Sequence, residues 1–227
     1  MIGIALEKTI LLRNLCLVGE SSIDNFLKYC HIKDFPARVP IIHPGDSADK
    51  LYYIRKGAVT VYMENEDGSQ LILAYLNKGD FIGEMGLFID PPKKRDVLVR
   101  TRSPCQLAEI TYERLRYLTQ GPLAEYYHQL LLALGRQLAR RLLETNRKVS
   151  YLAFMDVSDR VNRTLLDLCQ QPDAMTHPDG MQIRVTRQDI SRMIGCSREM
   201  VGRVLKELQQ QGLLSVKGKT IVVYGAR

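Results

Sequence analysis

From Tyr127 to Leu152, apolar or small residues recur at 127, 131, 134, 138, 142, 145, 149 and 152, at intervals of 4, 3, 4, 4, 3, 4 and 3. This is the stripe of an α-helix sustained for about 26 residues, roughly 39 Å at ~1.5 Å per residue. Gly121-Pro122 opens the stretch, and polar Arg140, Arg141, Glu144 and Arg147 flank the stripe. Two packings satisfy it: the helix lies along a neighbouring domain, or it pairs in parallel with a second copy of itself. Its length and regularity favour the coiled-coil pairing. A chain of 227 residues has room for two modest domains, one on each side of such a helix.

The texture differs on the two sides. Before the helix, short β-rich runs recur: LYYI (51–54), AVTVYM (58–63), QLILAYL (70–76) and QLAEI (106–110). Gly45-Asp46, Gly57, Asp67-Gly68 and Gly79-Asp80 punctuate them, and NEDGSQ between two alternating runs signals a hairpin. Many short strands at regular spacing predict a barrel or jelly roll. A short helix around Ser21–Tyr29, capped by Ser21 or Ser22, precedes them after a polar lead-in. Beyond Val157 the reading is a helix (158–170), a loop (171–180), a strand (181–185), two close helices (187–194 and 198–209) and a hairpin, LLSVKGKTIVVYG.

Charge separates the halves too. The net charge is +7, yet residues 181–227 alone hold nine Lys and Arg against three acids, a local +6. A basic tail of this kind suits a polyanionic partner. The five cysteines (16, 30, 105, 169 and 196) are scattered without a C-x-x-C, and His43, His128 and His177 lack metal-ligand spacing. Neither a disulfide framework nor a metal site is expected. The apolar runs are too short for a membrane span and no signal-peptide core is evident, so a cytoplasmic protein is expected.

TRQDISRMIGCSREMVGRVLKEL (186–208) joins the two close helices through Gly195-Cys196-Ser197. Thr186 and Ser197 are cap residues, and Gly195 permits the positive φ of a tight turn. Ile190, Ile194, Val201, Val204 and Leu205 face inward. Arg198, Glu199 and Arg203 then face outward at the start of the second helix, where a recognition helix meets base edges. Arginine pairs bidentately with guanine and glutamate accepts from cytosine N4. Arg187, Gln188, Ser197 and Lys219 suit phosphates, with Lys217-Gly218-Lys219 as a basic wing tip. A solvated helical hairpin would share the pattern, but the local charge and the wing favour DNA. An upstream dimer seam would let two copies read a two-fold symmetric site.

With LYYIRKGAVTVY, GDFIGEMGLF, LAFMDVSDR, QPDAMTHPDGMQI, TRQDI, GCSRE, VGRVLK and GKTIVVYG, the sequence resembles the cyclic-AMP receptor protein/FNR superfamily of bacterial transcription regulators. The likeness runs from about residue 31 to 227, and the N-terminal cysteine cluster of the oxygen sensors is absent. It implies an α+β chain: a cyclic-nucleotide-binding jelly roll (1–120), a dimerisation helix (121–155) and a winged helix-turn-helix (156–227). It further implies that Gly83, Glu84 and Met85 hold ribose and phosphate, that Arg95 binds phosphate, and that Thr145 and Asn146 contact the base, one from each subunit. Arg141 would support that region. Arg198, Glu199 and Arg203 would read bases, with Arg187, Gln188, Ser197 and Lys219 at backbone or flanking positions. Thr176, His177, Pro178, Asp179 and Gly180 would touch RNA polymerase, as would a second surface of His31, Lys33 and Arg114.

The stretch GEMGLFIDPPKKRDVLVRT (83–101) departs from the cyclic-AMP pattern. Asp96 stands after Arg95 where the family has serine, the preceding loop is one residue longer, and it contains Pro91-Pro92. Asn146 also replaces serine at a base contact. A carboxylate about 4 Å from a phosphate oxygen costs roughly 1 kcal/mol in water and roughly 4 at an effective dielectric near 20. Losing the serine's hydrogen bond adds about 1.5–3 kcal/mol. An Arg95–Asp96 ion pair would fill the site without ligand; alternatively Asp96 turns outward, or binds through water or Lys94, and cyclic AMP still binds. Family members with an acid here resemble regulators that bind DNA without ligand or are inhibited by cyclic di-GMP, and a guanine edge can donate to a carboxylate. The expectation is therefore ligand-independent DNA binding with a cyclic di-GMP response, ahead of cyclic-AMP activation. An enzyme is not expected, since Glu84 alone makes no catalytic constellation. A nucleotide sensor acting only through protein partners would not need the Arg198, Glu199 and Arg203 face.

Overall fold

The computed structural model describes residues 20–89 and 94–226. The lead-in, Cys16, and the Pro91-Pro92 insertion lie outside the described residues. Tertiary contacts divide the chain into two units: 1–61 with 75–142, and 62–74 with 143–227.

The first unit starts with α1 (Glu20–Leu27). Ser21 and Ser22 lie inside this helix and not at its cap, and Ser22 is buried. Strands β1 (His31–Phe35), β2 (Pro40–Ile42), β3 (Lys50–Lys56), β4 (Ala58–Glu64), β5 (Gln70–Asn77), β6 (Phe81–Ile82), β7 (Leu98–Thr101) and β8 (Cys105–Thr111) follow. They form two four-stranded sheets, ordered β1-β8-β3-β6 and β2-β7-β4-β5. The non-sequential order is that of a jelly roll. The β4–β5 turn closes as its residues dictate, with the Asn65 amide donating to the Ser69 carbonyl and Gly68 at φ 75°.

Helix α2 (Tyr112–Thr119) leaves β8 at Thr111, whose side chain caps it by accepting from the Arg114 amide at 3.2 Å. A short 3-10 turn (Ala124–Tyr126) leads into α3 (Tyr127–Phe154). Phe26, Leu51, Phe81, Ile110, Tyr112, Leu115, Leu118, Leu130 and Leu134 form one buried cluster, so α1, α2 and the start of α3 cover the β1-β8-β3-β6 sheet. Each such aliphatic side chain stabilises the unit by roughly 1.5–3 kcal/mol on burial. Leu134, on the expected dimer stripe, is thus committed to the core of its own chain. Farther along the same helix Leu142, Val149 and Leu152 stay exposed. The stripe is buried at Leu134 and exposed farther along.

In the second unit α4 (Val157–Cys169) is capped by Asp156, which accepts from the Asp159 amide at 2.9 Å. Strand β9 (Met175–His177) then pairs with β10 (Gly180–Arg184), where a loop was expected. Helices α5 (Arg187–Ile194) and α6 (Arg198–Gln210) precede the hairpin β11 (Leu214–Lys217) and β12 (Thr220–Tyr224). The sheet runs β11-β12-β10-β9. Val161, Leu165, Ile183, Ile190, Val201, Leu205 and Ile221 fill the core between sheet and helices. Lys148 of α3 is largely buried, its Nζ donating to the Leu73 carbonyl at 2.6 Å, and that burial lowers its pKa.

Candidate functional site

Gly83 sits at φ 91° ahead of a 3-10 turn over Glu84–Leu87, a conformation that favours glycine. A Cβ there would lie 2.7 Å from the Lys50 carbonyl oxygen and 2.8 Å from Arg95 Nη1, so glycine is also needed for the arginine to cross the backbone. Arg95 is fixed from the opposite strand system. Its amide donates to the Asp46 carbonyl at 2.9 Å, and its carbonyl accepts from Gly45 at 2.7 Å. Its Nη2 donates to the Lys50 carbonyl at 2.6 Å and to the Tyr112 hydroxyl at 3.2 Å. The structure thus brings Gly83, Glu84 and Arg95 together as expected.

Of the two placements expected for Asp96, the structure shows the outward one: the residue is exposed and forms no ion pair with Arg95 among the described residues. The Lys50 carbonyl and the Tyr112 hydroxyl hold the guanidinium instead. Met85 is 58 % exposed, so only its backbone belongs to the turn.

Glu84 is fully buried and pairs with Arg141 Nη1, while Arg141 Nη2 donates to the Phe81 carbonyl at 3.0 Å. Burial raises the Glu84 pKa above the ordinary carboxylate value of 4.5, against the pull of Arg141 and hydrogen bonds from its backbone and Gln137. In this pair Glu84 Oε2 and Arg141 Nε are buried without a hydrogen-bond partner among the described residues. Orphaned polar atoms are rare and suit a ligand hydroxyl, and a ribose offers one. The residues present therefore fit a sugar-phosphate: hydroxyl at Glu84, anion at Arg95 and the Gly83 turn.

The raised carboxyl has a pH signature. Between about 4.5 and its higher folded value, the folded chain binds more protons than the unfolded chain, so stability falls as pH rises through that window. Glu84→Gln keeps an acceptor for Arg141 without the titration. Thermal unfolding followed from pH 4 upward is expected to show a flatter pH dependence in the variant than in the wild type.

Thr145 and Asn146 are exposed on α3 in the second unit, with no side-chain hydrogen bond among the described residues. Two residues escaped sequence reasoning: Tyr112, whose hydroxyl donates to the Gly83 carbonyl at 2.6 Å, and Gln137, which bonds both backbone groups of Phe81. Neither carries a motif.

In the second unit, Thr186 and Asp189 form a reciprocal capping box at α5, with Thr186 Oγ1 accepting from the Asp189 amide at 3.0 Å. Gly195, at φ 65°, ends that helix, and Ser197 caps α6 by accepting from the Met200 amide at 3.2 Å. The caps fix where α6 begins. Val201, Val204, Leu205 and Leu208 bury one face. Arg198, Glu199 and Arg203 are exposed on the other and form no ion pair among the described residues. Arg187, Gln188, Ser197 and Lys219 are exposed as well, the last at the β11–β12 turn.

Thr176 and His177 belong to β9, Gly180 opens β10, and Pro178-Asp179 is the tight turn between them. The Asp179 amide donates to His177 Nδ1 at 3.2 Å, and the Gly225 amide to the Asp179 carbonyl at 2.9 Å. This turn is fixed, with Thr176, Pro178 and Asp179 exposed. His31 and Lys33 lie on β1, where Lys33 pairs with Glu109 at 2.8 Å, and Arg114 lies on α2. Among the described residues no group of three or more His, Cys, Asp or Glu can hold a metal, and no helix is long and apolar enough to cross a membrane.

A jelly roll with a buried glutamate–arginine pocket, joined to a winged helix-turn-helix, defines the class of two-domain regulators that couple a nucleotide-binding fold to DNA. Comparison with known proteins gives the family. Residues 32–121 match the cyclic nucleotide-binding domain, and residues 159–224 match the Crp-like helix-turn-helix domain. The chain is 53% identical over 207 residues to the cAMP-activated global transcriptional regulator Vfr of Pseudomonas aeruginosa, covering 90% of this chain and 94% of that protein. It is 51% identical over 206 residues to the CRP-like protein Clp of Xanthomonas euvesicatoria, covering 91% and 89%. The structure of the c-di-GMP responsive global regulator CLP of Xanthomonas campestris superposes with a TM-score of 0.87 at 50% identity, covering 91% of this chain and all of that one. The chain belongs to the cyclic-AMP receptor protein/FNR superfamily of transcription regulators, with a cyclic nucleotide-binding domain and a Crp-like helix-turn-helix.

Proposed function

We propose that this regulator binds a two-fold symmetric duplex as a homodimer, reads bases with Arg198, Glu199 and Arg203, and does so without a nucleotide. Cyclic di-GMP is the effector placed first, acting to inhibit. The exposed, unpaired charges at the start of α6 carry the DNA reading. Ligand independence is supported by Glu84, whose charge is paired within the chain by Arg141. Arg187, Gln188, Ser197 and Lys219 hold phosphates. Thr145 and Asn146 contact a nucleotide base, and the Thr176–Gly180 turn meets RNA polymerase. The protein acts in the cytoplasm and is not an enzyme.

The likeness to cAMP-activated Vfr favours a second reading, in which cyclic AMP switches on DNA binding. Titrating a palindromic duplex with free protein, and with each nucleotide added, separates the two. Nanomolar binding without nucleotide, weakened by cyclic di-GMP, is expected; micromolar or tighter cyclic-AMP binding that is required for DNA binding reverses the order. In the same assay Arg198→Ala or Glu199→Ala is expected to lower base discrimination by about 1–3 kcal/mol, and unchanged selectivity removes the direct-readout assignment.

A further inference from the structure

We infer that the Tyr112 hydroxyl is a positioning residue of the nucleotide pocket, holding Arg95 and the Gly83–Leu87 turn as one anion-binding unit. The inference rests on the cyclic-nucleotide reading of that pocket and adds to it a residue outside the family motif. Tyr112 begins α2, directly after β8, and its amide is tied to the Asp49 carbonyl at 2.8 Å. Its ring is part of the buried cluster with Leu115 and Leu118. From this fixed base the hydroxyl donates to the Gly83 carbonyl at 2.6 Å and accepts from Arg95 Nη2 at 3.2 Å.

The turn is shaped to receive it. A Cβ on Gly86 would lie 2.5 Å from the Tyr112 oxygen and 3.0 Å from the ring, so the tyrosine occupies the space that a side chain there would need. The Gly83 carbonyl also accepts from the Gly86 amide at 3.1 Å, so one oxygen ties together the start of the 3-10 turn and the phenol. The guanidinium is gripped by Lys50 and Tyr112 through Nη2, and Nη1 and Nε have no acceptor among the described residues. Those two groups are left to meet a phosphate. Burial raises the phenol pKa against the pull of Arg95, so it is a neutral hydroxyl that can donate to Gly83 while accepting from the arginine.

A double-mutant cycle with Tyr112→Phe and Arg95→Ala in the full-length chain tests this. Calorimetry with cyclic AMP and with cyclic di-GMP is expected to show Tyr112→Phe weakening the bound nucleotide by about ten- to hundredfold when Arg95 is present. In the Arg95→Ala background the same change is expected to cost under about twofold, because the hydroxyl acts through the arginine. A purely structural tyrosine would cost the same in both backgrounds, and that result, or wild-type affinity in Tyr112→Phe, overturns the inference. If wild type binds neither nucleotide, the ligand part of the proposed function fails, and amide exchange of the free protein decides the positioning role. Tyr112→Phe is then expected to speed exchange across residues 83–88 by about tenfold; unchanged exchange overturns it.

Discussion

On the proposed homodimer, placing glutamate at both Leu142 and Val149 is expected to leave a monomer and to lower the affinity for a palindromic duplex about a thousandfold. These residues are 62% and 57% exposed on their own chain, and Leu152, on the same stripe, is 50% exposed. Residues 142, 145, 149 and 152 are spaced 3, 4 and 3, the interval at which two parallel helices interlock. Exposed apolar side chains in such a row gain little from water and much from a partner helix. Four carboxylates brought to one seam would repel each other across a desolvated interface. Each monomer would keep a single reading helix, so the second half-site would no longer bind within the same complex. Light scattering is expected to report about 25.9 kDa for the variant and about twice that for wild type, with unchanged helix content by circular dichroism. A variant that stays dimeric, or that holds the duplex as wild type does, would remove the seam from the account.

What the residues announced in advance follows the range of the interactions involved. The DNA-facing half was legible because its determinants are local. Thr186 caps a residue three positions on, Ser197 does the same, and Gly195 turns the chain between them. The β-runs were legible from alternation and turn residues. The three-residue strand Met175–His177 was not, because it is short, mostly polar, and exists only by pairing with β10. The long stripe was legible as a helix, but periodicity does not say which partner each turn meets. Leu134 meets its own domain, and Leu142 meets solvent. The pocket was legible only through its motif residues. Tyr112 lies 29 positions from Gly83, and Arg141 lies 57 from Glu84, so only the fold brings them together. Asp96 drew attention as a misplaced charge, yet it is Lys50 and Tyr112 that hold the arginine.

Gln137 shows how much such a long-range residue can carry, and Gln137→Leu is expected to destabilise the first unit by about 2–4 kcal/mol. The side chain lies on α3, buried, 56 positions from its partner. Its Oε1 accepts from the Phe81 amide at 2.7 Å, and its Nε2 donates to the Phe81 carbonyl at 2.8 Å. The amide thus completes β6 as another strand would, where among the described residues the two-residue strand pairs with Tyr52 and Tyr53 of β3 alone. Leucine fills nearly the same volume, so the loss is polar and not a cavity. The carbonyl keeps Arg141 Nη2 at 3.0 Å, but the Phe81 amide is left buried with no acceptor. An unsatisfied buried donor costs more than the net worth of the bond that is lost, and this asymmetry sets the size of the effect. A second consequence follows at Glu84, whose carboxylate Gln137 helps to keep charged. Without that donor the Glu84 pKa climbs further, and the loss of stability with rising pH continues to higher pH. Urea unfolding followed by circular dichroism, at pH 5 and at pH 8, measures both. A shift under about 0.5 kcal/mol at both pH values would mean that β6 holds its place by β3 pairing and core packing alone.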